Sequence, residues 1–386
     1  MEKSESSNKM HRTEAEMRDR ISDLPDSLLL HILSFLPAKE AVATSLLSKR
    51  WRPLWFSLPT LKLRRQDFQR FTFFHQFVGK ILKLVDLKAV KKFVFECEYY
   101  KSRDYFRPQK ISEWINAVIL DKVEHLELNL YLGNNDYELP SNIFTTINIK
   151  VLKLSGGVTV GSTLSHVNLG LLQVLHLKLV KFPDFRSLGI LLSGCVLLRD
   201  LVIRSLQVDG YSPLDIGGLN HLVTAELPHS LIPLRVLSNV TFLRLHTYNF
   251  TLGPDIPTFY NLTYLKFQYY PHDWETTLRL LHSCPKLEIL VIQILCSQGL
   301  EPTADVPQCV SSNLKEFHLG NCCGKIEELK LARYIMKNAM VLRIISISKN
   351  SISRVTWKNR ILKKIPLCPI SSVNCKLLLL NRMTET

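Results

Sequence analysis

One short pattern, apolar-x-x-apolar-x-apolar, recurs along most of the chain. It begins at Val90 (VKKFVF), Val123 (VEHLEL), Ile149 (IKVLKL), Leu172 (LQVLHL), Leu198 (LRDLVI) and Leu222 (LVTAEL). It continues at Val240 (VTFLRL), Leu262 (LTYLKF), Leu287 (LEILVI), Leu314 (LKEFHL) and Leu342 (LRIISI). From Val123 onward, successive starts lie 18 to 28 residues apart. The alternation in the last three residues predicts a short strand whose first and third side chains enter a core while the middle one faces solvent. The stretches between strands leave room for helices on the outer side, most plainly in Arg186 to Ile203 and Thr276 to Ile292. Each of these runs from an apolar helix through a cysteine, Cys195 or Cys284, into the next strand, so both cysteines read as small buried residues at a fixed repeat position.

A period in or near this range is that of leucine-rich repeats, which stack their strands into one parallel sheet lining a curved solenoid. The familiar Asn or Cys eight residues into the repeat is mostly replaced here, by Tyr131, Val180, Leu206 and Leu295, and kept only at Cys322 and Asn350. An irregular solenoid is therefore expected. The middle strand residues, predicted to project from the concave face, are Glu127, Lys153, His176, Val202, Glu226, Arg244, Lys266, Val291, His318 and Ser346. Phe242, His246, Tyr264, Tyr269 and Tyr270 join them around two adjacent repeats, a mixture of aromatic and basic groups of the kind that anchors interfaces. Lys153, His176, Phe242, Arg244, Tyr264 and Lys266 are the expected contacts to a bound protein.

Ahead of the repeats the period becomes helical. Leu24, Leu28, Leu29, Ile32, Leu33 and Leu36 share one side of a helix that Asp23 or Asp26 could cap and Pro37 would close. A second helix should bury Ala41, Val42, Ser45 and Leu46, and a third, capped by Ser48, should carry Trp51 and Trp55 four residues apart. Three short helices make a core too small to cover so many large side chains, which leaves a surplus for a partner.

These residues carry a family resemblance. Leu24-Pro25-x-x-Leu28-Leu29-x-x-Ile32-Leu33-Ser34-x-Leu36-Pro37, followed by Thr44-Ser45-x-Leu47-Ser48-Lys49-Arg50-Trp51-Arg52-x-Leu54-Trp55, resembles the F-box of plant F-box/leucine-rich-repeat proteins. Farther on, Val306-Pro307-x-Cys309-Val310-Ser311-Ser312-x-Leu314-Lys315, Glu327-Glu328 and Leu331 to Leu342 resemble the FBD domain that follows the repeats in many of them. Read physically, that region is two strands flanking a helix with Leu331, Tyr334, Ile335 and Ala339 inward, and the closing ILKKIPLCPISSVNCKLLLL is similar to the family's final helix, turn and strand. The implied fold is α/β: a small three-helix F-box, an irregular solenoid with a parallel sheet on its concave side, and an FBD-type cap. The expected limits are a disordered tail over 1–19, F-box 20–63, linker and first irregular repeat 64–120, repeats 121–300, FBD and cap 301–380, and a tail over 381–386.

The resemblance also implies a function. Such proteins dock through the F-box onto a Skp-type adaptor, and through it onto a cullin and a RING protein, while the repeats hold a protein for ubiquitination. The matching docking positions are Leu24, Pro25, Leu28, Leu29, Ile32, Leu33, Pro37, Val42, Leu47, Trp51 and Trp55, with the tryptophans as candidate hot spots. Glu40 stands where the family usually has Asp, and Pro53 lies where a third helix should run, so that helix is expected to start late or bend near Trp51.

Composition and charge add limits. The 386 residues are 46% hydrophobic, ample for a core. The net charge of +15 would suggest nucleic acid, but the excess is local: residues 61–110 hold 13 Lys/Arg against 5 Asp/Glu, and 351–386 hold 7 against 1. A nucleic-acid surface at Lys62, Arg64 and Arg65 is thus the less favoured alternative, beside a repeat scaffold that sequesters a partner without ubiquitin transfer. Nine cysteines without a C-x-x-C pair disfavour a zinc site or disulfide framework and fit a nuclear or cytoplasmic setting. No apolar run is long enough to span a bilayer, and no enzyme motif stands in a working context. No catalytic residue, metal, cofactor or membrane partner is expected.

Overall fold

The computed structural model describes residues 20–21, 23–98, 108–119, 122–133, 137–161, 164, 166–208, 216–217, 219–228, 231–246, 256–269, 274–294, 305–350, 357–364, 371–372 and 375–381. The tail over 1–19, Tyr270, Leu295, Cys296 and Cys368 lie outside the described residues. Two short helices, α1 (Asp26–Leu33) and α2 (Ala38–Ala43), open the chain. There follow β1 (Thr60–Arg64), α3 (Phe71–Leu84), β2 (Lys92–Glu98), α4 (Pro108–Ile119), β3 (His125–Tyr131) and β4 (Tyr137–Glu138). Next come β5 (Val151–Thr159), β6 (Val174–Phe182), α5 (Phe185–Ser193), β7 (Asp200–Arg204), β8 (Gln207–Val208), β9 (Thr224–Pro228), β10 (Phe242–His246) and β11 (Tyr264–Tyr269). The chain ends with α6 (Trp274–His282), β12 (Ile289–Ile294), α7 (Gln308–Ser312), β13 (Glu316–Cys322), α8 (Ile326–Asn338), β14 (Ile344–Lys349), α9 (Trp357–Lys364) and β15 (Lys376–Leu380).

All eleven predicted strands are present, and they pair in chain order in one parallel sheet running β1-β2-β3-β5-β6-β7-β9-β10-β11-β12-β13-β14-β15, with β4 and β8 as short additions beside β5 and β6. Parallel stacking keeps the register: Glu127, Lys153, His176, Val202 and Glu226 stand opposite one another in sequence, and Arg244, Lys266, Val291, His318 and Ser346 continue the same row. Just ahead of the strands a second rung runs through the backbone. Glu124 N–H donates to Lys91 C=O, Lys150 to Glu124, Gln173 to Lys150 and Arg199 to Gln173, and the series extends to Arg343 on Lys315. Loops of unequal length can therefore vary between strands without disturbing the row.

Two strands complete the sheet beyond the eleven. β15 is the strand expected at the end of the chain, where its half-buried Leu377 and Leu379 pack on the core. β1 was not expected, yet Leu58-Pro59-Thr60-Leu61-Lys62-Leu63 is another copy of the repeat pattern. The solenoid therefore starts inside the segment 20–63, and the stretch 64–120, expected as a linker and first irregular repeat, holds α3, β2 and α4. Leu58, Leu61 and Leu63 are buried in the same continuous core as Leu29, Leu33, Trp51 and Trp55 on one side and Phe71, Phe74, Phe93 and Phe95 on the other. Asp86 N–H donates to Phe56 C=O at 2.7 Å and Lys39 Nζ to Asp67 C=O at 2.6 Å, so the helical module and the first repeat are joined by polar contacts as well.

The helical module departs from expectation in its caps and its third helix. α1 begins directly after Pro25 with no side-chain cap, and Asp26 pairs instead with Arg50. The second helix ends early, at Ala43, and one 3-10 turn carries on through Leu46, which is exposed. No α-helix follows: residues 49–53 are turns, and a 3-10 helix spans Leu54–Ser57 with Pro53 at its start. Proline has no N–H to bond the preceding turn, so the chain can begin a tight helix after Pro53 but cannot carry an α-helix through it.

Cys195 and Cys284 sit as predicted, buried, each thiol donating to the carbonyl four residues earlier at 3.1 Å. Burial pushes the Cys195 thiol up to about 12. A sharper local constraint is Gly156, which has φ of +107° where the register slips between Ser155 and Val158. A Cβ there would lie 2.4 Å from the backbone carbon of Leu130 on the neighbouring strand. Gly156→Ala is expected to cost about 2 kcal/mol or more, since it meets both a forbidden φ and backbone it cannot displace. A denaturation midpoint equal to that of the wild type would contradict this.

Candidate functional site

Two surfaces follow from the fold. The first belongs to the helical module. Of the docking positions expected there, Leu29, Leu33, Pro37, Trp51 and Trp55 are buried, Leu24 and Val42 are half-buried, and Pro25, Leu28, Ile32 and Leu47 are exposed. The tryptophans, expected as hot spots, are only 6% and 8% exposed and belong to the core, so their part in any contact is to shape the surface above them. What faces outward is an apolar stripe on α1 and its C-terminal turn, Leu28 (47% exposed), Ile32 (42%) and Phe35 (72%), spaced at i, i+4 and i+7. The loop after α2 adds Leu46 (88%) and Leu47 (69%). Phe35 and Leu46 were missed because helical periodicity put Leu46 inside and offered no side for Phe35.

Arg50 fixes this surface. Its Nε and Nη2 donate to Asp26 Oδ1 at 2.9 and 2.6 Å, and Nη2 also donates to Leu24 C=O. One guanidinium thus ties the loop that follows Leu46 and Leu47 to the start of α1, holding two apolar segments in fixed relation. Both partners are open to solvent, so the pair positions more than it stabilises.

The second surface is the open face of the sheet, opposite the helices. Half-buried and buried residues alternate along β3, β5, β7 and β10, which sends the middle residues outward as predicted. Three middle residues, Glu226, Val291 and Ser346, are instead buried. Glu226 is buried by its own partners. Its carboxylate accepts from Arg204 Nη2 at 2.8 Å and Arg244 Nη1 at 3.3 Å, and shares a 2.6 Å hydrogen bond with His246 Nε2. Ser346 is covered by His318, whose Nδ1 lies 2.6 Å from the serine hydroxyl.

Beside this cluster the rings of Phe242 and Tyr264 stack, with centroids 4.1 Å apart and planes within 9°, and Arg244 lies over the Phe242 ring at 5.3 Å. His176 Nε2 is 2.9 Å from Asp200 Oδ2, and Thr224 donates to the other oxygen. Lys153 and Lys266 are half-buried on the same row. The six expected contact residues thus share one face. Phe242, Arg244, Tyr264 and Lys266 form one cluster on β10 and β11, while Lys153 and His176 stand on β5 and β6.

Burial acts to raise the pKa of Glu226, but the hydrogen bonds of His246 and Arg204 and the charges of Arg204 and Arg244 outweigh it and bring it down to about 2. A carboxylate held below its ordinary value of 4.5 contributes stability that is complete above that value and is lost as pH falls toward about 2. The melting temperature of Glu226→Gln should therefore lie below that of the wild type at neutral pH, and the gap should narrow as pH falls through that window. A gap independent of pH would contradict the assignment.

The basic residues that raised the nucleic-acid alternative are engaged within the chain. Arg64 Nη2 is 2.8 Å from Asp67 Oδ1 and 4.0 Å from Glu40 Oε1. Arg65 donates to Phe68 C=O, and Lys62 lies 3.9 Å from Glu96.

Known families match each of these regions. The F-box domain matches residues 21–63, the At1g61320/AtMIF1 LRR domain residues 81–208, and the FBD domain residues 301–347. The chain therefore has an F-box, leucine-rich repeats and an FBD domain in that order. Among curated proteins it is similar to F-box/LRR-repeat protein 13 of Arabidopsis thaliana, 28% identical over 94% of this chain and 96% of that one. An F-box/FBD/LRR-repeat protein of the same plant is 29% identical over 93% of this chain and 99% of its own length. Among solved structures, an internalin from Listeria monocytogenes superposes on 84% of this chain and 98% of its own with a TM-score of 0.38 and 14% identity, too distant a likeness to support a conclusion.

Proposed function

We propose that this protein is the substrate-recognition subunit of an SCF-type cullin-RING ubiquitin ligase. The F-box docks on a Skp-type adaptor through Pro25, Leu28, Ile32, Phe35, Leu46 and Leu47, and the buried Leu29, Leu33, Trp51 and Trp55 hold that surface in shape. The open face of the sheet binds the protein to be ubiquitinated. This chain supplies proximity, holding one protein where enzymes of the complex can reach it.

The observation that carries the reading is the exposed apolar stripe Leu28, Ile32 and Phe35 on a module whose core is continuous with the solenoid. A contiguous apolar surface kept exposed on a well-packed module marks a protein contact. The continuous core, together with the Asp86–Phe56 and Lys39–Asp67 contacts, lets docking at one end set the position of the open face.

The test is reconstitution of ubiquitin transfer from purified adaptor, cullin, RING protein and conjugating enzyme. Proteins captured on the wild-type chain should be modified, and modification should stop with Leu28→Asp/Ile32→Asp although capture continues. A complex that assembles with cullin but modifies no captured protein would point to a sequestering scaffold instead.

A further inference from the structure

The two ends of the sheet are finished differently. At the first, α2 packs against β1. At the last, β15 is the edge, and among the described residues no strand pairs with its outer side. Its inward Leu377 and Leu379 are only half-buried, whereas Ile345 and Ile347, in register with them on β14, are fully buried. Leu378 continues the middle row of the open face beside Ser346 and is 43% exposed. The last layer of the core is thus left open on one side.

The backbone of β15 is open on the same side. Lys376 N–H donates to Arg343 C=O at 2.9 Å, and a parallel ladder engages alternate residues, so Leu378 and Leu380 continue that pairing with β14. The N–H and C=O groups of Leu377 and Leu379 therefore point outward. Folded proteins usually blunt such an edge with charge, proline or a bulge, but β15 reads KLLLL, with Lys376 alone charged.

We propose that β15 pairs antiparallel with β15 of a second copy of this chain, about a two-fold axis through Leu378. This register uses the whole strand. Leu377 stands opposite Leu379 of the second copy, and these hydrogen-bonded pairs exchange both N–H···O=C bonds, which satisfies every outward backbone group of the two residues. Leu378 then faces its own copy at about 4.5 Å between Cα atoms, and the half-buried leucines close the open core layer against each other. Lys376 lies opposite Leu380 of the second copy, so the two lysines are about 14 Å apart, beyond the screening length of about 8 Å at physiological salt. The axis is perpendicular to the sheet, so the two open faces look the same way and form one continuous surface. With only one short strand from each copy, the contact is small and reversible, with a Kd of about 10–100 µM.

The test is sedimentation equilibrium of the full-length chain, with cysteine cross-linking to read the register. The wild type should show a monomer–dimer equilibrium in that range, and Leu378→Asp, which sets two carboxylates face to face outside the core, should weaken it at least about tenfold at an unchanged melting temperature. The dimer should persist in Leu28→Asp/Ile32→Asp, which separates it from association through the exposed stripe of the helical module. Under oxidation by copper phenanthroline, Leu378→Cys should give a cross-linked dimer that the wild type does not, because its Cα separation suits a disulfide, while Lys376→Cys should not. A wild type that stays monomeric at about 200 µM would overturn the proposal. So would a dimer indifferent to Leu378→Asp, a dimer lost with Leu28→Asp/Ile32→Asp, or cross-linking of Lys376→Cys as fast as that of Leu378→Cys.

Discussion

Trp55→Ala should unfold the helical module while leaving the solenoid folded. Trp55 is buried, its ring 4.1 Å from that of Phe56, and the 3-10 turn that carries it packs against α1. Removing a buried tryptophan typically costs about 3–5 kcal/mol, and a module built on two short helices and a 3-10 turn has little with which to absorb it. The shared core continues from Leu61 through the whole sheet, far beyond the residues Trp55 touches, so the later strands should keep their hydrogen bonds. Amide exchange resolves the two outcomes: protection should be lost over residues 26–57 and retained in β9 to β13. Adaptor binding would then be lost through unfolding, in contrast to Ile32→Asp, which should lose it with the module intact. Retained protection over residues 26–57 would show that the tryptophan is not the keystone of this core.

Glu328→Ala should have a comparable effect at the opposite end. The Glu328 carboxylate is buried at the start of α8, where one oxygen accepts from the backbone N–H groups of Cys323 and Gly324 at 2.8 Å and Lys325 at 3.1 Å. The Cys322 thiol donates to it as well, at 3.2 Å. The turn can converge on one atom because Gly324 takes φ of +81°, and the arrangement is anionic charge placed at a helix N-terminus. Alanine would leave several buried or partly buried donors without this acceptor, for an expected cost of about 3 kcal/mol, and glutamine, which keeps one acceptor oxygen, should cost less. The denaturation midpoint measures both, and a ranking in which glutamine is the more disruptive would contradict this account of the turn.

Most of the sheet could be read from the sequence because the repeat pattern encodes inward and outward positions directly, and parallel stacking turns those positions into register. β1 escaped only because its Leu58, Leu61 and Leu63 fall inside a stretch already explained by the F-box motif. The helical module was less legible. Periodicity grouped Leu24, Leu28, Leu29, Ile32 and Leu33 on one helix face, but on so short a helix that face is shared between the core, which takes Leu29 and Leu33, and solvent, which meets Leu28 and Ile32. Which leucine goes where depends on where Trp51 and Trp55 pack, and Pro53 made that local geometry unreadable as a regular helix. The six residues expected as contacts all lie on the open face, but the burial of Glu226 was not foreseen. It depends on Arg204, Arg244 and His246 closing over it from the two neighbouring strands, a cross-strand arrangement that no single repeat reveals.

The central claim, that the exposed apolar stripe of the F-box is an adaptor-docking surface held in place by a folded core, is tested most directly by calorimetric titration of the purified full-length chain with a Skp-type adaptor. The wild type should bind with a negative heat-capacity change, since apolar surface is buried. Leu28→Asp/Ile32→Asp should bind at least about a hundredfold more weakly at an unchanged melting temperature. Equal affinity of the two proteins would contradict the account.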